Sequence, residues 1–91
     1  MVYEVEVLTR ARRALESLAR GTLRDYLKVD EAIDALSGEP RPRGARKLMG
    51  AGALYRLGVG DYRIIYSVID SDHLVVVENV LRRTSTTYRK R

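Results

Sequence analysis

Residues 53 to 81 hold three strand-like runs divided by two short turns, and this arrangement constrains the fold more than any other feature. The runs are ALYRLGV, YRIIYSVI and HLVVVENVL, rich in β-branched and aromatic residues. Gly60-Asp61 fits a two-residue hairpin turn, and Asp70, Ser71 and Asp72 fit a second turn. YRIIYSVI is apolar on both faces, which predicts a central strand. Such a sheet needs another layer to bury its apolar side.

The first forty residues supply that layer. In VYEVEVL, residues 2 to 8, Tyr3, Val5 and Val7 alternate with Glu4 and Glu6, the mark of a half-solvated strand. Thr9 can cap a helix in which Ala11, Ala14, Leu15, Leu18 and Ala19 recur at helical spacing, and Gly21 ends it. Thr22 can cap a second helix, with Asp25 favourably placed in its first turn. Leu23, Tyr26, Leu27, Ala32, Ile33 and Leu36 are its expected buried stripe, and Gly38 and Pro40 stop it. So short a link predicts an antiparallel helical hairpin. Residues 38 to 52, GEPRPRGARKLMGAG, read as a surface loop. The expected fold is α+β, one domain over residues 1–91, ordered β-α-α-β-β-β. The helical hairpin covers one face of a small, mainly antiparallel sheet and leaves the other partly open.

Several function classes are disfavoured. The chain has no cysteine, one histidine (His73) and scattered carboxylates, so no metal site and no cofactor is expected. No apolar run approaches the roughly 20 residues that span a bilayer, so no membrane partner is expected. The N-terminus has no signal-like pattern, and the expected compartment is the cytoplasm.

Charge is unevenly distributed. Residues 1 to 40 carry six Lys/Arg and eight Asp/Glu; residues 41 to 91 carry eleven and four. A basic half is expected of a phosphate-binding surface, although a solvated face without a ligand reads the same way. Arg41, Arg43, Arg46 and Lys47 load the loop, and Arg82, Arg89 and Lys90 load the tail; all are candidate RNA-binding residues.

Hairpin geometry sharpens this. A turn at Gly60-Asp61 pairs Val59 with Tyr62, Gly58 with Arg63 and Arg56 with Ile65. Arg56 and Arg63 then lie diagonally on one face with Gly58 between them. The next hairpin brings Arg63 near Asn79 and Val80, with Arg82 and Arg83 just beyond. Arginines converging without matching carboxylates favour a phosphate, whose oxygens accept forked guanidinium donors. The competing reading for Arg63 is a salt bridge to Glu4 or Glu6. Tyr88 is a base, a stacking platform or a packing residue. The neighbouring Arg82, Arg83, Arg89, Lys90 and Arg91 favour its phenolate. His73, in a turn away from this cluster, is read as non-catalytic.

YEVEVL, RARRALESLAR, EAIDALSGEPRPRGARKLMG, LYRLGVGDYRIIYSV and VVVENVLRRTSTTYR together resemble the RelE/ParE toxin superfamily over nearly the whole chain. The resemblance implies a compact α/β toxin neutralised by a cognate antitoxin. RelE-type members cleave mRNA on the ribosome, with the ribose 2′-OH as nucleophile and a 2′,3′-cyclic phosphate as product. By position, Arg56 matches a residue that binds the scissile phosphate, and Arg63 the arginine that holds the phosphorane charge. Arg83, or Arg82 if the register slips, matches the arginine assisting the leaving 5′-oxygen, and Tyr88 the general base. Gly58 departs from the pattern, because many RelE-type toxins carry a second basic residue there. The alternative is a ParE-type toxin that poisons DNA gyrase without cutting nucleic acid. A third reading is a degenerate member that only binds its antitoxin.

Overall fold

The computed structural model describes residues 2–48 and 53–83. Strand β1 (Glu4–Val7) leads into helices α1 (Thr9–Gly21) and α2 (Leu23–Ala35). Strands β2 (Arg46–Lys47), β3 (Leu54–Val59), β4 (Tyr62–Ile69) and β5 (Leu74–Arg82) follow. They form one sheet ordered β1-β5-β4-β3-β2, with β1 parallel to β5 and the other pairs antiparallel. The helical hairpin is the crossover that a parallel β1–β5 pair requires.

Burial alternates along β4. Tyr62, Ile64, Tyr66 and Val68 are buried, while Arg63, Ile65 and Ser67 are half-buried and Ile69 is exposed. The buried set packs with Leu57, Val75, Val77 and Val80 against Ala11 and Leu15 of α1 and Val29 and Ile33 of α2, with Leu36 just beyond the helix. Burying an aliphatic side chain of this size contributes about 1.5–3 kcal/mol, so this layer is the main support of the fold. The arginines of β3 and β4 are left on the side away from the helices.

The structure departs from expectation in four places. Leu8, not Thr9, caps α1 and makes no side-chain cap bond. The Leu8 N–H still donates to the Val77 carbonyl of β5 at 3.0 Å, so the chain stays extended through Leu8 and the helix begins at Thr9. By contrast Thr22 does cap α2, its hydroxyl accepting from the Asp25 N–H at 3.4 Å.

In α2, Leu23 and Leu27 are 60% and 55% exposed, and Val29 is buried instead. The inward stripe runs through 26, 29, 33 and 36, and 23 and 27 fall on the outer side of a 3.6-residue helix.

The 38–52 stretch is not loop throughout. Arg46 and Lys47 form β2, pairing with Arg56 and Tyr55. Gly44, at φ 98°, is the third residue of the turn closed by the Ala45 N–H donating to the Pro42 carbonyl at 3.0 Å. A type II turn needs glycine at that position, and here it points the chain back toward β3.

Finally, Arg63 pairs with Leu81 rather than lying beside Asn79 and Val80. Ile65 pairs with Asn79 but Tyr66 with Val77, so Glu78 is an extra residue in a β-bulge. The Gly60-Asp61 turn keeps the expected pairs, with Gly60 at φ 58° taking the positive-φ position.

Candidate active site

The open face of the sheet carries a cleft of about 190 Å³ lined by Gly44, Arg46, Arg56, Gly58, Arg63 and Arg83. Each guanidinium arrives on a different segment. Arg46 and Arg56 are cross-strand partners on β2 and β3. Arg63 lies on β4 opposite Gly58. Arg83 follows β5, held by its N–H donating to the Asp61 carbonyl at 2.6 Å. Gly58 meets no atom within 4 Å of where a Cβ would stand, so the cleft floor is bare there.

Among the described residues, none of these four side chains forms a salt bridge or hydrogen bond within the chain. The Glu4 or Glu6 partnership for Arg63 is absent. Strand β5 separates β1 from β4, about 10 Å away, and the register places Glu6 level with Ser67, roughly 13 Å along β4 from Arg63. The carboxylate of Glu78, on the neighbouring β5, accepts from the Ser67 hydroxyl at 2.7 Å. Four cations lining one cleft repel each other, and a bound anion with several oxygens relieves that repulsion.

The volume lies below the about 300–1,000 Å³ usual for an enclosing ligand pocket. A cleft this small suits one backbone phosphate and its ribose. Among the described residues its lining holds no histidine or carboxylate. Such a lining can hold an anion and stabilise negative charge, and offers no acid–base group among the described residues.

A profile described as the ParE toxin of type II toxin–antitoxin systems, parDE, matches residues 5–86. The chain belongs to the RelE/ParE toxin superfamily.

Solved relatives agree with the fold of this toxin. The archaeal RelE–RelB complex from Pyrococcus horikoshii OT3 superposes with a TM-score of 0.77 at 36% identity, covering 93% of this chain and 99% of that one. The toxin–antitoxin complex RelBE2 from Mycobacterium tuberculosis gives 0.76 at 32% identity, covering 91% and 100%. The isolated E. coli RelE toxin gives 0.71 at 28%, covering 93% and 88%.

The remaining candidates are dispersed in the toxin. Arg82 pairs with Tyr62 on the helix-covered face, its guanidinium carbon 6.0 Å from the Tyr62 ring centroid, so Arg83 rather than Arg82 reaches the cleft. Lys47 shares the face of Tyr55 and points away from the cleft. Arg43 is exposed in the turn before β2. Arg41 lies toward the opposite end of the sheet, in an ion pair with Asp70 at 2.7 Å. His73 packs edge-on against Tyr3 beyond the far end of β4. Tyr88, Arg89 and Lys90 lie outside the described residues.

No sequence pattern marks Gly44 as cleft lining or places Arg46 opposite Arg56. A two-residue strand has no periodicity to detect. The one available signal was Pro-Arg-Gly, a turn pattern that points the chain back on itself.

Proposed function

We propose that this toxin is a ribosome-dependent mRNA endoribonuclease held in check by a cognate antitoxin, and that it acts in the cytoplasm. The observation that carries this reading is the set of four guanidiniums, without partners among the described residues, converging on one cleft of the open sheet face.

In the proposed step the ribose 2′-oxygen attacks phosphorus and the phosphorus–O5′ bond breaks. The 2′-hydroxyl proton passes to a base, the 5′-oxygen gains a proton, and a 2′,3′-cyclic phosphate remains. Arg56 grips the scissile phosphate, with Arg46 beside it. Arg63 stabilises the charge that builds on the equatorial oxygens, and Arg83 stabilises the departing oxygen. Preorganised donors of this kind act where charge develops, and losing one typically costs about 10²–10³ in rate. Tyr88 is the proposed base, by the family resemblance.

The alternative, gyrase poisoning, works by protein binding without cutting nucleic acid and does not call for a cluster of cations at one phosphate-sized cleft. For the antitoxin, the RelE–RelB and RelBE2 relatives are complexes. An acidic or amphipathic antitoxin segment covering the basic face or an exposed sheet edge fits the same surface.

Inducing the toxin in cells tests this. Growth arrest should come with cleaved transcripts by primer extension, and Arg63→Ala and Tyr88→Phe should each relieve it while antitoxin binding remains. Arrest unchanged by both substitutions, with DNA supercoiling inhibited, would replace nuclease with gyrase poison.

A further inference from the structure

Arg41 is a candidate for nucleic-acid binding, yet each of its three guanidinium nitrogens already donates a hydrogen bond within the chain. Its Nη2 and Nη1 donate to Asp70 Oδ2 and Oδ1 at 2.7 and 3.3 Å, and its Nε donates to the Tyr55 hydroxyl at 2.9 Å. The guanidinium also sits 5.5 Å from the Tyr55 ring centroid. From the other side, the Tyr3 hydroxyl donates to Asp70 Oδ1 at 2.6 Å. One residue earlier, the Pro40 carbonyl accepts from the Tyr66 hydroxyl at 2.8 Å, and the Tyr66 and Tyr55 rings stack at 5.7 Å. Five segments meet here: the residue before β1, the chain after α2, strands β3 and β4, and the β4–β5 turn.

The chain leaving this knot reaches the cleft within five residues. It passes through the Pro42–Ala45 turn, with Gly44 in the cleft lining, and delivers Arg46 opposite Arg56. Strand β2 has only two residues, so its own ladder is a weak hold.

We propose that Arg41, Asp70 and the Tyr3 and Tyr55 hydroxyls are positioning residues that pin the start of this arm and thereby hold Arg46 in the phosphate cleft. The proposal rests on the cleft being a phosphate site. Arg41 and Asp70 side chains are 42% and 58% exposed. Exposed ion pairs contribute little to global stability, so the effect of the tie is local.

Asp70→Asn separates this from direct RNA contact by Arg41. It replaces one acceptor oxygen with a donor and removes the negative charge that neutralises Arg41, which strengthens RNA binding if Arg41 grips the backbone. Positioning gives the opposite result. Three measurements on the full chain are needed: thermal midpoint, amide exchange at Ala45, Arg46 and Leu48, and affinity for a short RNA oligonucleotide by fluorescence anisotropy.

The expected outcome is an unchanged midpoint, exchange of those amides at least about tenfold faster, and affinity about tenfold weaker, the scale of one charge-assisted contact. In an Arg46→Ala background, Asp70→Asn should cause no further loss of affinity, because the residue it positions is gone. Unchanged exchange, equal or tighter RNA binding, or a loss that adds in full to Arg46→Ala would each overturn the proposal. None of these readouts needs RNA cleavage, so a failed nuclease assignment remains a separate result.

Discussion

Arg46 and Arg56 stand directly opposite each other on β2 and β3, two like charges paired on one face of a sheet. Like charges so placed are destabilising, and nothing among the described residues neutralises them. A fold keeps such a conflict where function requires it.

Arg46→Gln should therefore stabilise the toxin and weaken it as an RNA binder. The expected gain is about 0.2–1 kcal/mol, the scale of a cross-strand pair, measured by urea unfolding. RNA affinity should fall in the same variant. A loss of stability would mean that the two arginines do not repel.

Gly58 lines the cleft with open space above it and without a positive φ. Gly58→Lys should fold without strain and add a fifth cation. RNA affinity should rise, and its dependence on log salt should steepen by about 0.7 for a single strand. Unchanged salt dependence would show that the phosphate passes elsewhere.

Tyr66 has no solvent exposure, and burial pushes its hydroxyl up to about 12. Burial is the main cause of that value, with a smaller upward push from Tyr55 and a downward one from Arg41. The unfolded value is lower, near 10, so the folded chain binds this proton more tightly. Its contribution to stability is complete below about pH 10 and is lost as pH rises toward 12. Ultraviolet titration of the tyrosines should show one late component that Tyr66→Phe removes. Asp70 behaves in the opposite sense: the Arg41 and Tyr3 hydrogen bonds hold its carboxyl below the usual range. The tie is therefore formed above about pH 4 and loosens as pH falls through the lowered value, a local change at the start of the arm rather than a change in global stability.

Leu27 and Val29 test the helix face. Val29→Ala removes two fully buried carbons and should cost about 2 kcal/mol, at about 0.8 kcal/mol for each plus a small cavity. Leu27→Ala, at a site 55% exposed, should stay within about 0.5 kcal/mol in chemical denaturation.

That contrast shows what local pattern can and cannot carry. The Gly60-Asp61 register follows from turn length alone, so the pairs 59–62, 58–63 and 56–65 stand as read. The bulge at Glu78 has no such signature, because HLVVVENVL reads the same with or without it. Its consequence matters, since one extra residue sets Arg83 in the cleft and Arg82 against Tyr62. Leu23 and Leu27 look like core because leucine is apolar, but the inward direction is set by what α2 packs upon. The Arg41–Asp70 tie spans 29 residues and is visible only once α2 and the β4–β5 turn are placed.

The most direct test is cleavage of a defined mRNA on purified ribosomes, with the rate and the new 3′ end measured for wild type and Arg63→Ala. The expected result is a 2′,3′-cyclic phosphate end from wild type, a rate lower by about 10²–10³ in the variant, and equal affinity of both for the antitoxin. Equal rates, or no cleavage by wild type, would contradict the assignment of the arginine cleft as the catalytic site.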